Sequence, residues 1–153
     1  MIKSTASEVL AAWMVANGHA TRPTPVGAWP VSKNKLPVEA GRDDWITIYD
    51  LDPAIDGKLM KSGETVDHPE CQILIRSANP AAAPYKGRQI LEQLSSMYNV
   101  NVVCKEEAGL FSPETVQIQA VMIVMGLTLF KKEEQNQRTH YVATVRLTLE
   151  EVP

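Results

Sequence analysis

Apolar positions recur along the chain with two different periods, and the changes of period divide it into elements. Ile2, Ala6, Val9, Leu10, Trp13 and Met14 fall at helical spacing. Thr5 with Glu8 makes a capping-box pattern ahead of them, and Gly18 is a natural stop. The spacing predicts a first helix whose apolar face packs on a sheet or on a neighbouring subunit. From Thr21 to Gly41 the periodicity is lost. Pro23, Pro25, Pro30 and Pro37 forbid regular structure over most of the stretch and leave Trp29 and Leu36 as anchors. An ordered connection of that length is uncommon and usually functional, so 21–41 reads as an arm laid along the body or along a neighbour.

Trp45 to Tyr49 is a short strand bounded by Asp43-Asp44 and by Asp50. The run Asp50 to Pro69 is polar and turn-rich, with Lys58 to Lys61 as one arm of a small hairpin. Cys71 to Ser77 alternates, setting Cys71, Ile73 and Ile75 against Gln72, Leu74 and Arg76, and so predicts a strand. Asn79 as cap and Pro80 at the first position open a second helix, with Pro84 as the other candidate start. Ile90, Leu91, Leu94, Met97 and Tyr98 form its apolar face, and Asn99 is the expected stop.

Three strands follow. They are Val100 to Cys104, Thr115 to Met125 and His140 to Leu149. In the second, Val116, Ile118, Ala120, Met122 and Val124 are expected to face one way. In the third, Tyr141, Ala143, Val145, Leu147 and Leu149 oppose His140, Val142, Thr144, Arg146 and Thr148. Lys131 to Arg138 is a charged loop at a hairpin tip. The order predicts an α+β fold, a mostly antiparallel (mixed) sheet of about five strands with two helices packed on one face.

Composition narrows the function classes. The 153 residues suit a single domain, and 44% hydrophobic with 22% charged residues is ordinary globular usage. A net charge of −3, with no basic cluster beyond Lys131-Lys132, argues against a non-specific nucleic-acid binder. Cys71 and Cys104 lie in apolar runs and read as buried thiols. The N-terminal residues form no signal peptide, and no apolar run approaches a membrane span, so the expectation is a soluble chain folding in a cytoplasm.

The acidic stretch 50–70 is the natural place to look for chemistry. A calcium loop starting at Asp50 fails at Ala54, Ile55 and Lys61, where the pattern needs a ligand, a glycine and a glutamate. Asp50-Leu51-Asp52 after an apolar strand resembles a phosphatase motif, but Pro53 follows and the alternating strand–helix pattern is absent. His68, between Asp67 and Glu70, reads as a turn residue at the head of a strand. No nucleophile elbow and no phosphate-binding glycine loop occurs. The expectation is no catalytic residue, no metal and no cofactor. A small metal-dependent hydrolase using Asp50 and Asp52 is the remote alternative.

The pattern Ile48-x-Asp50, Asp56-Gly57-Lys58-x-Met60-x-x-Gly63-Glu64 and His68-Pro69-x-x-Gln72-Ile73-x-Ile75-Arg76 resembles a family of phage minor capsid or tail terminator proteins. Trp29-Pro30-Val31 ahead of it, the helix from Tyr85 to Met97 and the alternating strand Tyr141 to Leu149 fit the same family. The resemblance covers about residues 25–150. It departs at Asp52-Pro53-Ala54, where the family often turns on a glycine. What it implies is one tail-terminator-like domain over 1–153, with the Pro-rich arm 21–41 and a projecting loop 50–69. It implies a non-enzymatic virion protein at the neck, assembled in a bacterial host's cytoplasm. Such a protein forms a ring with itself, usually hexameric, which caps the tail tube, ends its polymerisation and docks the head connector or stopper protein. DNA passes through such a lumen without sequence-specific contact. A head completion or stopper protein is the alternative within the class. Trp29, Asp50, Asp52, Asp56, Lys58, Glu64, His68, Arg76, Lys131 and Lys132 are the candidate interface residues.

Overall fold

The computed structural model describes residues 2, 4–22, 27–36, 43–51, 54–58, 65–104 and 113–152, with the backbone alone at 54–58 and 65–67. Helix α1 (Ala6–Ala16) begins as its sequence predicts. The Thr5 side chain accepts from the Glu8 amide, and the Glu8 carboxylate accepts from the Thr5 amide. Gly18, at φ 75°, follows the cap residue Asn17 and turns the chain out of the helix.

The Pro-rich arm is more regular than expected. Val31–Lys33 forms strand β1, paired in parallel with β2 (Trp45–Asp50). The prolines flank this tripeptide rather than interrupt it. Pro30 has no amide to offer a ladder, but its carbonyl accepts from the Ile46 amide. Within the stretch 50–69 a hairpin is present, as expected, but with a different first arm. Strands β3 (Ala54–Lys58) and β4 (Thr65–His68) pair antiparallel as a separate two-stranded sheet, so the first arm lies ahead of Lys58 rather than after it.

Strand β5 (Glu70–Ser77) returns beside β2, and helix α2 (Ala82–Ser95) follows. Asn79 does not cap α2. Its Oδ1 accepts from the Ala81 amide in a turn that precedes the helix, and Ala81 is the cap residue, with no side-chain bond. Pro84 falls within the first turn, where its missing amide leaves no bond unmade. Tyr98 is exposed and starts strand β6 (Tyr98–Cys104) instead of ending the helix face, while Asn99 takes φ 49° within that strand. Strands β7 (Glu114–Lys132) and β8 (Thr139–Glu151) complete a six-stranded sheet of order β1-β2-β5-β8-β7-β6. The class is therefore α+β with a mixed sheet, one strand larger than expected and with a detached hairpin.

The sheet is curled. Helix α1 touches β1 and β2 near one end of the strand order and β6 at the other. In a flat sheet β2 and β6 would lie about 19 Å apart at ~4.8 Å per strand, beyond the reach of one helix about 10 Å across. The sheet must wrap around α1, and this explains why Val9, Leu10, Ala11, Trp13 and Met14 are all buried. The core joins these to Ile46, Ile48, Ile73, Ile75, Val116, Ile118, Val145 and Leu147 from the concave face and to Ile90 and Leu94 of α2.

Candidate assembly surface

Strand β7 outruns its neighbour. Strand β6 pairs with it only from Glu114 to Ala120, so among the described residues the outer edge of β7 from Val121 to Lys132 has no strand beside it. The register with β8 slips within this stretch and just before it. Ile118 faces Leu149 while Ala120 faces Thr148, so Gln119 is an extra residue; further irregularities lie between Ile123 and Met125, Met125 and Thr128, and Leu129 and Lys131. Each bulge inverts the in–out alternation and bends the strand. The first one overturns the expected facing. Val116 and Ile118 are buried, but after Gln119 it is Val121 and Ile123 that pack against the core, and Met122 and Val124 are turned out.

The overhang is consequently apolar and exposed. Met122 is 51% exposed and Phe130 64%, with Val124, Met125 and Leu129 between them. Met122 and Met125 lie opposite Arg146 and Thr144 on the convex face, whereas Leu129 lies opposite Tyr141 on the helix side. A bare edge with apolar side chains on both faces asks to be covered. The stretch did not stand out in the sequence because unbroken alternation makes Met122 and Val124 core residues. The only signal was apolar character running on past Met125 to Phe130.

A buried polar cluster sits where the overhang ends. Trp45, Arg76, His140 and Lys131 lie opposite one another across β2, β5, β8 and β7. Arg76 is 2% exposed, and its Nε donates to the Asp43 carbonyl at 3.1 Å. Arg138 Nε donates to Asp43 Oδ1 at 2.9 Å. His140 Nε2 lies 3.3 Å from Glu133 Oε1, close enough for attraction but off the line of a hydrogen bond, and among the described residues Glu133 Oε2 is also buried without a hydrogen-bond partner. Burial, reinforced by Arg76 and Lys131, outweighs Glu133 and lowers the His140 pKa below the ordinary imidazole value.

Asp50 has a different environment. Its carboxylate accepts from the Ser7 amide and hydroxyl and from Asn34 Nδ2, while its own amide donates to Asn34 Oδ1. Burial alone would raise its pKa, but the bonds from Asn34, Ser7 and Thr5 prevail and lower it. A carboxylate with its lone pairs so engaged holds α1 to β2. Cys71 Sγ sits 3.9 Å from Asp50 Oδ1, and burial followed by the Asp50 charge drives that thiol's pKa far up. Both cysteines are buried and free, so neither is a reactive thiolate.

The other candidate residues scatter. Trp29 is half-buried at φ 53°, its carbonyl accepts from the Thr21 amide, and Lys86 Nζ stands 5.7 Å above its ring. His68 Nδ1 lies 3.3 Å from Thr148 Oγ1 near the Asp50 end of the sheet. Lys131 and Lys132 are exposed on the hairpin at the Arg76 end. Asp56 and Lys58 fall on β3, and Asp52 and Glu64 lie outside the described residues. Asp50 and His68 are thus at one end of the sheet and Arg76, Lys131 and Lys132 at the other. Among the described residues no group of three or more His, Cys, Asp or Glu side chains gathers to hold a metal, and no helix is long and apolar enough to cross a membrane.

No protein-family model matches the chain, and no curated protein matches it. Among solved structures, a chain from the virion of a native gene transfer agent particle superposes with a TM-score of 0.49 and 11% identity, covering 95% of this chain and 87% of the other. A second solved chain, known only by a serial designation, gives 0.44 and 13% over 96% and 92%. Both scores fall below one half, and neither identity is high enough to carry a function across.

Proposed function

We propose that this chain is a structural protein of a phage-like virion, a tail terminator. Copies of it form a ring that caps the tail tube, ends tube growth and presents a docking surface to the head connector. The observation that carries the reading is the bare, apolar overhang of β7. An exposed edge of this kind suits a protein whose final surface is completed by assembly, and a ring closes through contacts between unlike patches of successive copies. The motif likeness over Ile48 to Arg76 points to the same class. The β3–β4 hairpin is the second contact, its acidic residues setting specificity more than affinity. No part of this role is chemical and none needs a cofactor.

The test is tube capping. Purified chain added to polymerising tail-tube protein should yield tubes of defined length with a ring at one end in negative-stain images. Phe130→Asp with Leu129→Asp should remove the ring, and Asp56→Lys with Glu64→Lys should remove capping, all without loss of the folded circular-dichroism spectrum. Tubes of unchanged length with either folded pair would exclude that surface. Unchanged length with wild type would exclude the terminator role and leave the connector-side stopper, tested by binding to connector rings.

A further inference from the structure

The cluster at the tip of β7 and β8 has a property that goes beyond the assembly reading. His140 is nearly fully buried at the head of β8, and its Nε2 has no hydrogen-bond partner among the described residues. Glu133 in the turn, Arg76 on β5 and Lys131 at the end of β7 act on it directly, and Asp43 before β2 and Arg138 in the turn complete the cluster through Arg76. That is three cations against two carboxylates. A neutral imidazole leaves this balance alone. A protonated one adds a fourth positive charge to a buried site where the facing carboxylate, Glu133, makes no hydrogen bond to its Nε2.

The turn depends on the same residues. The Glu133 amide donates to the Arg138 carbonyl at 2.7 Å and closes the tip, while Thr139 Oγ1 donates to the Ser77 carbonyl and ties it to β5. Beyond Ala120, among the described residues, β7 pairs in the sheet with β8 alone, and α2 meets it at Leu127. Loosening the tip therefore frees the end of the overhang beyond that contact. We propose that His140 is a protonation-dependent latch: neutral, it keeps the β7–β8 tip closed, and protonated, it releases the tip and with it the end of the apolar overhang.

The experiment is amide hydrogen exchange on the full chain between about pH 7.5 and about pH 5, corrected for intrinsic rates, across the range where imidazole titrates. Amides of 131–140 should lose about tenfold in protection, while those of α1 keep theirs. In His140→Gln the tip should lose its pH dependence. The latch is overturned by pH-independent protection in the wild type, by equal dependence in His140→Gln, or by parallel loss in α1. Should His140→Gln not fold, the imidazole titration of the wild type decides. A midpoint below about 6.5 supports the latch and one at or above it overturns it.

Discussion

The Ser7 hydroxyl donates to Asp50 Oδ2 over 2.6 Å, fastening the first turn of α1 to the last residue of β2. The Ser7 amide donates to the other oxygen of the same carboxylate, so helix and sheet are joined twice at one side chain. Asp50→Ala strands these donors and Asn34 Nδ2, while the amide of residue 50 still donates to Asn34 Oδ1. It should cost about 2 kcal/mol, the usual penalty for buried groups left unpaired. Urea unfolding measures it, and a loss under about 0.5 kcal/mol would contradict the anchoring role.

The same carboxylate predicts a pH dependence. Its folded pKa is lowered, so the unfolded chain binds its proton first as pH falls. The stabilisation is complete above the unfolded carboxyl value of about 3.9 and is lost as pH falls below that through the folded value. Wild type should therefore lose more stability than Asp50→Asn between about pH 5 and about pH 2 in matched unfolding curves. Parallel curves would contradict the assignment.

Gln119 is predicted to matter as a spacer and not as a side chain. Gln119→Ala should change stability by no more than about 0.5 kcal/mol. Deleting Gln119 removes the bulge and leaves a regular ladder in which Ile118, Val121 and Ile123 still face the core and Met122 still faces out. The deletion should therefore fold with the local bend lost and Met122 still open to peroxide oxidation. Protection of Met122 from oxidation in the folded deletion would contradict this facing.

Helix α2 approaches β7 through Gly87. A Cβ there would come within 2.7 Å of the Leu127 side chain and 3.2 Å of Ile75 Cδ1. Alanine also gains about 1 kcal/mol of helix propensity over glycine. Gly87→Ala should therefore be near neutral or destabilising in the wild type and stabilising by up to about 1 kcal/mol in a Leu127→Ala background. A double-mutant cycle with no coupling would mean that the two positions do not touch.

Local signals were legible wherever the element is specified by its neighbours in the chain. The Thr5–Glu8 box and Gly18 bound α1 correctly, and the alternation from Cys71 and from His140 placed β5 and β8. Where a partner far along the chain decides, the reading failed. Val31 to Lys33 carries no strand pattern of its own and is ordered by pairing with Ile46 to Ile48. Asn79-Pro80 looks like a helix start, but the chain makes an extra turn first. The candidate site fared likewise. Asp50 was conspicuous because it is acidic beside a strand, yet its bonds to Ser7 and Asn34 arise only when three segments meet.

The sequence by itself determined the class of the fold, because hydrophobic period is a property of consecutive residues. It also marked Lys131 to Arg138 as a hairpin tip. Only the tertiary structure decided which face of β7 is buried, since a bulge is defined by two strands in register and leaves no mark in one of them. With one extra residue at Gln119, Met122 and Val124 pass from the expected core to the exposed overhang on which the proposed assembly rests.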